Sequence, residues 1–298
     1  MKQYLLIKKF NNLTMEKFKL INKKCRGSIQ GPDGTLVELV WITPEIANQL
    51  LDLNTNNRAV KEATKDKYAR DMEAGKWVFN GDSIRILING ELADGQHRLF
   101  SCIKSNTPFW SLIVWDLPES SRMTIDTGVP KSTADHLKML GIKNSNVVSA
   151  AVRKVLAEEL NGNGSKRAFS NAEVYAEATG SKKGTYQKAA AFAARMYREY
   201  PNIVQPIYAF AYVELISKGY KYELVEDFFK QLTDQKEACE VVRNLRKRIS
   251  PPLDGTKIPA KVKELYLKKA WNEWSKGNYK AKILNCREYR DENYVKFE

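Results

Sequence analysis

Long apolar runs are missing from this chain of 298 residues. The longest of them, residues 207–213, is stopped by Glu214 and is far too short to span a bilayer. Near the N-terminus, Lys8 and Lys9 directly follow the short apolar stretch 5–7, so the hydrophobic core of a signal peptide is absent. The sequence therefore predicts a cytoplasmic protein that has no membrane partner.

Paired cysteines and histidines are also scarce. The four cysteines lie far apart and form no Cys-x-x-Cys pair, which argues against a zinc ribbon and against a disulfide framework. Only two histidines are present, His97 and His136, too few for a histidine-rich metal site. We expect any metal to be Mg²⁺, carried by a phosphate ligand and held by a carboxylate.

Acidic residues are outnumbered, since 35 Asp and Glu stand against 49 Lys and Arg and the net charge is +14. The excess is +5 over residues 1–150 (21 against 16) and +9 over residues 151–298 (28 against 19). Nucleic acid is the usual partner of such a surface, because neutralising phosphates gives affinity that does not depend on sequence. The charge alone also fits a protein that is merely soluble and basic.

The apolar pattern divides the chain into three parts. Residues 1–35 are basic and weakly patterned, which predicts an N-terminal arm. Residues 36–144 combine helical spacing with one clear strand, where Ile84, Ile86 and Ile88 alternate with other residues ahead of the hairpin signal Asn89-Gly90. Residues 145–298 show helical spacing alone. The expected fold is a small mixed α/β domain followed by an all-helical domain, with the boundary near residues 141–145.

Five residues, Asp94-Gly95-Gln96-His97-Arg98, lie where the predicted hairpin passes into a helix. The backbone N–H groups at a helix N-terminus have no internal partner and favour an anion. Gly95 allows a close backbone approach, Arg98 can fork onto two phosphate oxygens, and His97 can donate a further bond. Asp94 suits a Mg²⁺ ligand or a general base. In the alternative interpretation Asp94 only caps the helix, while His97 and Arg98 form surface ion pairs.

A second turn has a similar composition. Asp126-Thr127-Gly128, followed by Lys131 and Ser132, offers a carboxylate for a metal, a hydroxyl, a flexible backbone and a cation ahead of a further helix. Ser132 and Asp135 also fit a capping box, so an ordinary capped helix start is equally consistent with the pattern. Arg58, in a polar loop, is a further candidate phosphate ligand, although a solvated loop arginine is the commoner case.

Basic helices with interleaved aromatics mark the C-terminal half. The candidate nucleic-acid ligands there are Arg243, Arg246, Lys247, Arg248, Lys268 and Lys269. Trp271 and Trp274 have the helical spacing of core residues, which we prefer over a base-stacking role for them.

The stretch LADGQHRLFSC resembles the signature of the ParB/sulfiredoxin superfamily, and its spelling is closest to the DGQHR-type branch, which includes many phage-encoded ParB-like nuclease domain proteins. The likeness covers residues 38–141. It implies a phage-encoded protein with a ParB/sulfiredoxin-like domain at 36–144 in which Gly95, Gln96, His97 and Arg98 hold the phosphates of ATP or CTP. Gln96 replaces the catalytic cysteine of sulfiredoxins, which removes their thiol chemistry.

The sequence thus predicts a nucleotide-binding, DNA-associated protein that uses ATP or CTP with Mg²⁺. A homo-oligomer is compatible with this prediction. Asp94 and His97 are its candidate catalytic residues, and Asp94 and Asp126 its candidate metal ligands. Three alternatives stay open: a phosphotransferase acting on DNA or a small hydroxyl substrate, a Mg²⁺-dependent nuclease, and a regulatory module without catalysis.

Overall fold

A computed structural model describes residues 20–125, 128, 131–160, 167–234, 236–251, 256–282 and 295–298. The chain separates into two compact units, Met1–Pro130 and Lys131–Glu298, and each has a hydrophobic core of its own. In the described part of the chain, every helix is too short or too polar to cross a membrane. The architecture is mixed α/β and mostly helical, as the sequence predicts at this coarse level.

The described residues of the first unit form a five-stranded sheet and three α-helices. The strands are β1 (Lys24–Gln30), β2 (Leu36–Ile42), β3 (Ser83–Leu87), β4 (Leu92–Asp94) and β5 (Phe109–Leu117). The helices are α1 (Pro44–Leu51), α2 (Glu62–Glu73) and α3 (Gln96–Ser105), and short 3-10 turns cover Pro32–Gly34 and Glu119–Met123.

The sheet order is β1-β2-β5-β3-β4, and all neighbouring strands are antiparallel except the parallel pair β5 and β3. Alternate residues of β2 face the core because successive side chains of a strand point to opposite faces. Apolar residues of the three helices cover this inner face: Ile46, Leu50, Met72, Leu99 and Cys102. Helix α3 is thereby held with its first turn next to the end of β4.

The hairpin between β3 and β4 is longer than predicted. The connection between the two strands spans residues 88–91, within which the Leu87 N–H donates to the Glu91 carbonyl at 2.9 Å, whereas the sequence predicts a two-residue loop. A register shift follows Arg85, so Ile86 and Leu87 are both buried while Ile88 is 44% exposed. The regular alternation of Ile84, Ile86 and Ile88 therefore stops one residue early.

The described elements of the second unit are helices. They are α4 (Thr133–Met139), α5 (Ser145–Glu159), α6 (Asn171–Thr179), α7 (Lys183–Glu199), α8 (Gln205–Ser217), α9 (Tyr222–Thr233), α10 (Glu240–Ile249) and α11 (Ala260–Ser275). Helix α8 is apolar on all sides and lies in the centre of the core, as expected for a helix without a polar face. Trp271 and Trp274 are buried in this core, which confirms their predicted role.

Two predicted boundaries are corrected. The units divide at Pro130 and Lys131, earlier than residues 141–145, because Leu137 and Ile142 belong to the helical core. The prediction of an arm over 1–35 is also wrong for residues 20–35, the part that the structure describes. Leu20 packs into the core of the first unit, and residues 24–30 form β1, whose backbone pairs with β2.

Candidate functional site

Gly95 forms the turn between β4 and α3. Its φ is +112°, a conformation that favours glycine, and a Cβ at this position would lie 3.0 Å from Cγ1 of Ile84. Asp94 does not cap the helix, because its Oδ1 accepts the N–H of Gly95 itself at 2.7 Å. Among the described residues no side chain caps α3, so the N–H groups of its first turn remain available to an anion.

Arg98 lies in this first turn and is 9% exposed. Its Nη2 donates to the Ser83 carbonyl at 2.8 Å and to Oδ2 of Asp94 at 2.9 Å. Nη1 is buried and has no hydrogen-bond partner among the described residues. Arg98 is therefore paired before any ligand arrives, because one of its two terminal nitrogens already holds the end of the sheet to α3.

Asp94 is shared between two arginines. Its Oδ2 also accepts from Nη1 of Arg85 at 3.1 Å, since Arg85 and Asp94 are directly opposite on β3 and β4. With Oδ1 on the Gly95 N–H, both carboxylate oxygens are engaged, and the carboxylate lies beside two positive charges. This arrangement does not fit a Mg²⁺ ligand, because the cation would be repelled by both guanidinium groups. Asp126, the other predicted metal ligand, lies outside the described residues, among which no group of three or more potential metal ligands occurs.

His97 is held by the backbone of the preceding loop. Its Nε2 accepts the N–H of Lys61 at 3.1 Å, which places the ring proton on Nδ1. Burial lowers the pKa of His97, and the positive charges of Arg58 and Lys61 lower it further. A neutral imidazole protonated at Nδ1 can donate one hydrogen bond, and the contact of His97 with a phosphate stays a prediction.

Gln96 has a positioning role in the structure. Its Oε1 accepts from Asn54 at 3.5 Å and its Nε2 donates to the Arg58 carbonyl at 3.1 Å, so its amide joins the loop to α3. The side chain of Arg58 is exposed next to this anchor. Cys102, further along α3, is in the core, where burial raises its pKa to about 12 and keeps the thiol protonated.

The structure describes only some residues of the second predicted turn. Thr127 lies outside the described residues, and Gly128 is exposed. Lys131 and Ser132 belong to the second unit, where Ser132 caps α4 in the predicted capping box with Asp135. The Ser132 hydroxyl accepts the N–H of Asp135 and donates to its carboxylate at 2.6 Å, so both its functions are in use.

The predicted DNA ligands of the second unit separate into two groups. On α10, Arg243, Lys247 and Arg248 are exposed, whereas Arg246 lies 4.7 Å from the ring centre of Tyr200 and donates to the Leu232 carbonyl. On α11, Lys269 is half-buried.

Lys268 is buried, with 3% of its surface exposed. Its ammonium pairs with Glu158 at 3.1 Å and with Glu264 at 3.3 Å. The prediction that Lys268 contacts DNA is therefore wrong, because its charge neutralises carboxylates inside the helical unit.

Sequence reasoning missed Arg85, Lys61 and Ser83, each of which contacts the predicted motif. Arg85 had a detectable signal, since it is a charged residue between two buried isoleucines of a strand that pairs with β4. Lys61 and Ser83 make their hydrogen bonds to the motif with backbone groups, which residue type does not reveal.

Comparison of the chain with family models, with curated proteins and with solved structures gives no match.

Proposed function

We propose that this chain is a nucleotide-binding, DNA-associated protein whose first unit binds the phosphates of ATP or CTP at the N-terminus of α3. The observation that carries the proposal is the first turn of α3 behind the Gly95 turn, next to the cations of Arg58 and Lys61. In the described part of the chain, no side chain caps this turn and no group bonds to Nη1 of Arg98. The resemblance to DGQHR-type proteins of the ParB/sulfiredoxin superfamily points to the same turn.

The electrostatics at the turn favour an anion. Four cationic side chains, Arg58, Lys61, Arg85 and Arg98, surround a motif whose own carboxylate is Asp94. Burial is the main cause of the lowered pKa of His97, and the charges of Arg58 and Lys61 lower it further because both disfavour the imidazolium. A phosphate would be attracted by these positive charges and by the helix dipole together.

Asp94 acts in this proposal as a counter-ion for the two arginines. A bound phosphate can compete with the carboxylate for the guanidinium groups, which would make the contacts of Asp94 dependent on ligand. The engagement of both Asp94 oxygens favours a regulatory binding module as the second candidate function, ahead of a Mg²⁺-dependent nuclease that requires a metal at this residue.

A thermal-shift series tests the nucleotide site. We expect ATP or CTP to raise the melting temperature of the wild type, because a ligand of the folded state stabilises it. In the absence of ligand, Arg58→Ala should have the melting temperature of the wild type, because the Arg58 side chain is exposed. The variant should weaken nucleotide binding about tenfold to a hundredfold, as expected for one charge-assisted bond.

Lys76→Ala is the matched control. Lys76 is also exposed, but it follows the other end of α2, about 18 Å along the helix from Lys61. Equal weakening of nucleotide binding in both variants would mean that Arg58 contributes only through the net charge of the protein. A melting temperature that no nucleotide raises would reject the nucleotide site.

The DNA part of the proposal rests on the exposed cations of α10. If Arg243, Lys247 and Arg248 contact phosphates, affinity for duplex DNA should fall steeply with salt. The substitution Lys247→Gln should reduce the slope of log affinity against log salt by about one. Lys183→Gln, at an exposed lysine of α7, should keep the wild-type slope. A wild-type affinity that does not respond to salt would reject phosphate contact by this helix.

A further inference from the structure

A cavity of about 630 Å³ opens between α7, α8 and α9 of the second unit. Its lining residues are Lys188, Ala191, Phe192, Arg195, Tyr212 and Tyr222. The volume lies in the range that small-molecule sites usually have. Three aromatic rings and two cations therefore meet at one place.

One face of α7 provides four of these residues. Lys188, Ala191, Phe192 and Arg195 follow the spacing i, i+3, i+4 and i+7, which places them in a row along the helix. Ala191 has the smallest side chain of the four and leaves the space between the two cations open. The two cations are thus separated by about two helical turns with an aromatic wall between them.

The aromatic rings form a continuous wall. Phe192 and Tyr212 are buried and their ring centres lie 5.1 Å apart. The ring of Tyr222 lies 6.2 Å from that of Tyr212 and is set at 64° to it, while 43% of its surface remains exposed. Tyr222 is thus accessible to a planar ligand, and its ring packs against the buried ring of Tyr212.

The cations differ in how firmly they are held. Arg195 pairs with Glu226 at 2.5 Å and lies 5.6 Å from the ring centre of Phe192. A hydrogen bond to Glu226 raises the pKa of Tyr222, so the same carboxylate orients both residues at the rim. Lys188 is exposed and forms no ion pair with a described residue, which leaves its charge available.

We propose that this cavity binds a nucleotide unit, with the base stacked on Tyr222 and the phosphate at Lys188 and Arg195. Aromatic faces beside cations are the combination by which proteins hold unpaired nucleotides, since every base offers a π-face and every linkage a charge. The unit can come from single-stranded DNA or from a free mononucleotide. The inference rests on the DNA association proposed above and adds a site for unpaired bases to the α10 surface.

Fluorescence anisotropy of a labelled oligo-dT strand tests the site with the full chain. We expect salt-dependent binding by the wild type and a loss of about fivefold to a hundredfold in Tyr222→Ala, as for one stacked base. Tyr222→Phe should retain most of the affinity because it keeps the ring. Ala191→Trp should block binding by filling the cavity from an exposed helix position.

Tyr197→Ala is the matched control, because Tyr197 is a 39% exposed tyrosine on the opposite face of α7. Unlabelled dTMP distinguishes the two sources. Competition by dTMP at the same nucleotide concentration as the strand identifies a mononucleotide site, and much weaker competition identifies a strand site. If Tyr222→Ala binds oligo-dT as well as Tyr197→Ala does, the cavity is not the site, whereas the α10 proposal is unaffected. If the wild type binds neither oligo-dT nor duplex DNA, both proposals fail.

Discussion

The side chain of Arg98 stabilises the first unit before any ligand arrives. Its bonds to the Ser83 carbonyl and to Asp94 are largely removed from water. Arg98→Ala should therefore lower the free energy of unfolding by about 1.5–3 kcal/mol, the range for hydrogen bonds to charged groups. Urea denaturation without nucleotide measures this loss.

Arg98→Lys and Arg58→Ala complete that experiment. Lysine keeps the charge but loses the planar fork, so its unfolding free energy should lie between those of alanine and wild type. Arg58→Ala should unfold like the wild type, because the Arg58 side chain is exposed. Wild-type stability in Arg98→Ala would mean that its bonds add nothing to folding.

His97 should make the stability of the first unit depend on pH. Its pKa in the folded protein lies below the usual 6.5, so the unfolded chain takes up the proton first as the pH falls. The neutral ring makes its full contribution to the free energy of unfolding above about pH 6.5. This contribution is lost as the pH falls through the lowered pKa of the folded protein. Between about pH 7.5 and pH 5, the wild type should lose more stability than His97→Gln in urea denaturation. Parallel pH profiles for the two proteins would contradict this assignment.

At the scale of elements, the passage from β4 to α3 depends on glycine. Gly95→Ala introduces both the strain of a positive φ and a Cβ 3.0 Å from Ile84. Gly90→Ala is the matched control, since its φ is +89° but its Cβ would meet no atom within 4 Å. We expect the strain alone to cost about 1–2 kcal/mol and Gly95→Ala to cost more, as measured by urea denaturation. Equal losses would mean that Ile84 gives way without penalty.

Helix α11 depends on its buried lysine. Lys268→Ala leaves Glu158 and Glu264 without this partner, close to Glu214, whose pKa burial already raises. We expect a loss of about 3–5 kcal/mol at neutral pH, the range for breaking a buried ion pair. Lys247→Ala, at an exposed position of α10, should change the unfolding free energy little. A loss below about 1 kcal/mol in Lys268→Ala would show that water reaches these carboxylates.

At the scale of the whole molecule, the two units should respond to different ligands. Hydrogen exchange followed by mass spectrometry tests this assignment. The nucleotide that stabilises the wild type, ATP or CTP, should protect amides of the first turn of α3 and of the loop 54–58, because a phosphate at this turn accepts from the N–H groups there. Oligo-dT should protect segments of α7 and α9 instead. Protection of the second unit by nucleotide and of α3 by DNA would reverse the proposed roles.

Much of the fold could be predicted from the sequence because its signals are local. The described elements of residues 145–298 are helices, as their apolar spacing predicts, and the capping box of Ser132 and Asp135 forms as expected. The burial of Trp271 and Trp274 follows from their spacing on one helix. A helical period or a capping box involves residues within one or two turns, so the chain itself carries the information.

Tertiary structure alone decided which distant groups meet. Asn54 lies 42 residues from Gln96, and Glu158 lies 110 residues from Lys268, yet each pair is in contact. Residue type could not tell whether Arg98 or Lys268 is at the surface, because a charged side chain is placed inside only when packing supplies its partner. The cavity between α7, α8 and α9 has the same origin. The sequence by itself determined the helices and the glycine turn, and the packing of remote segments determined which of their charges remain free.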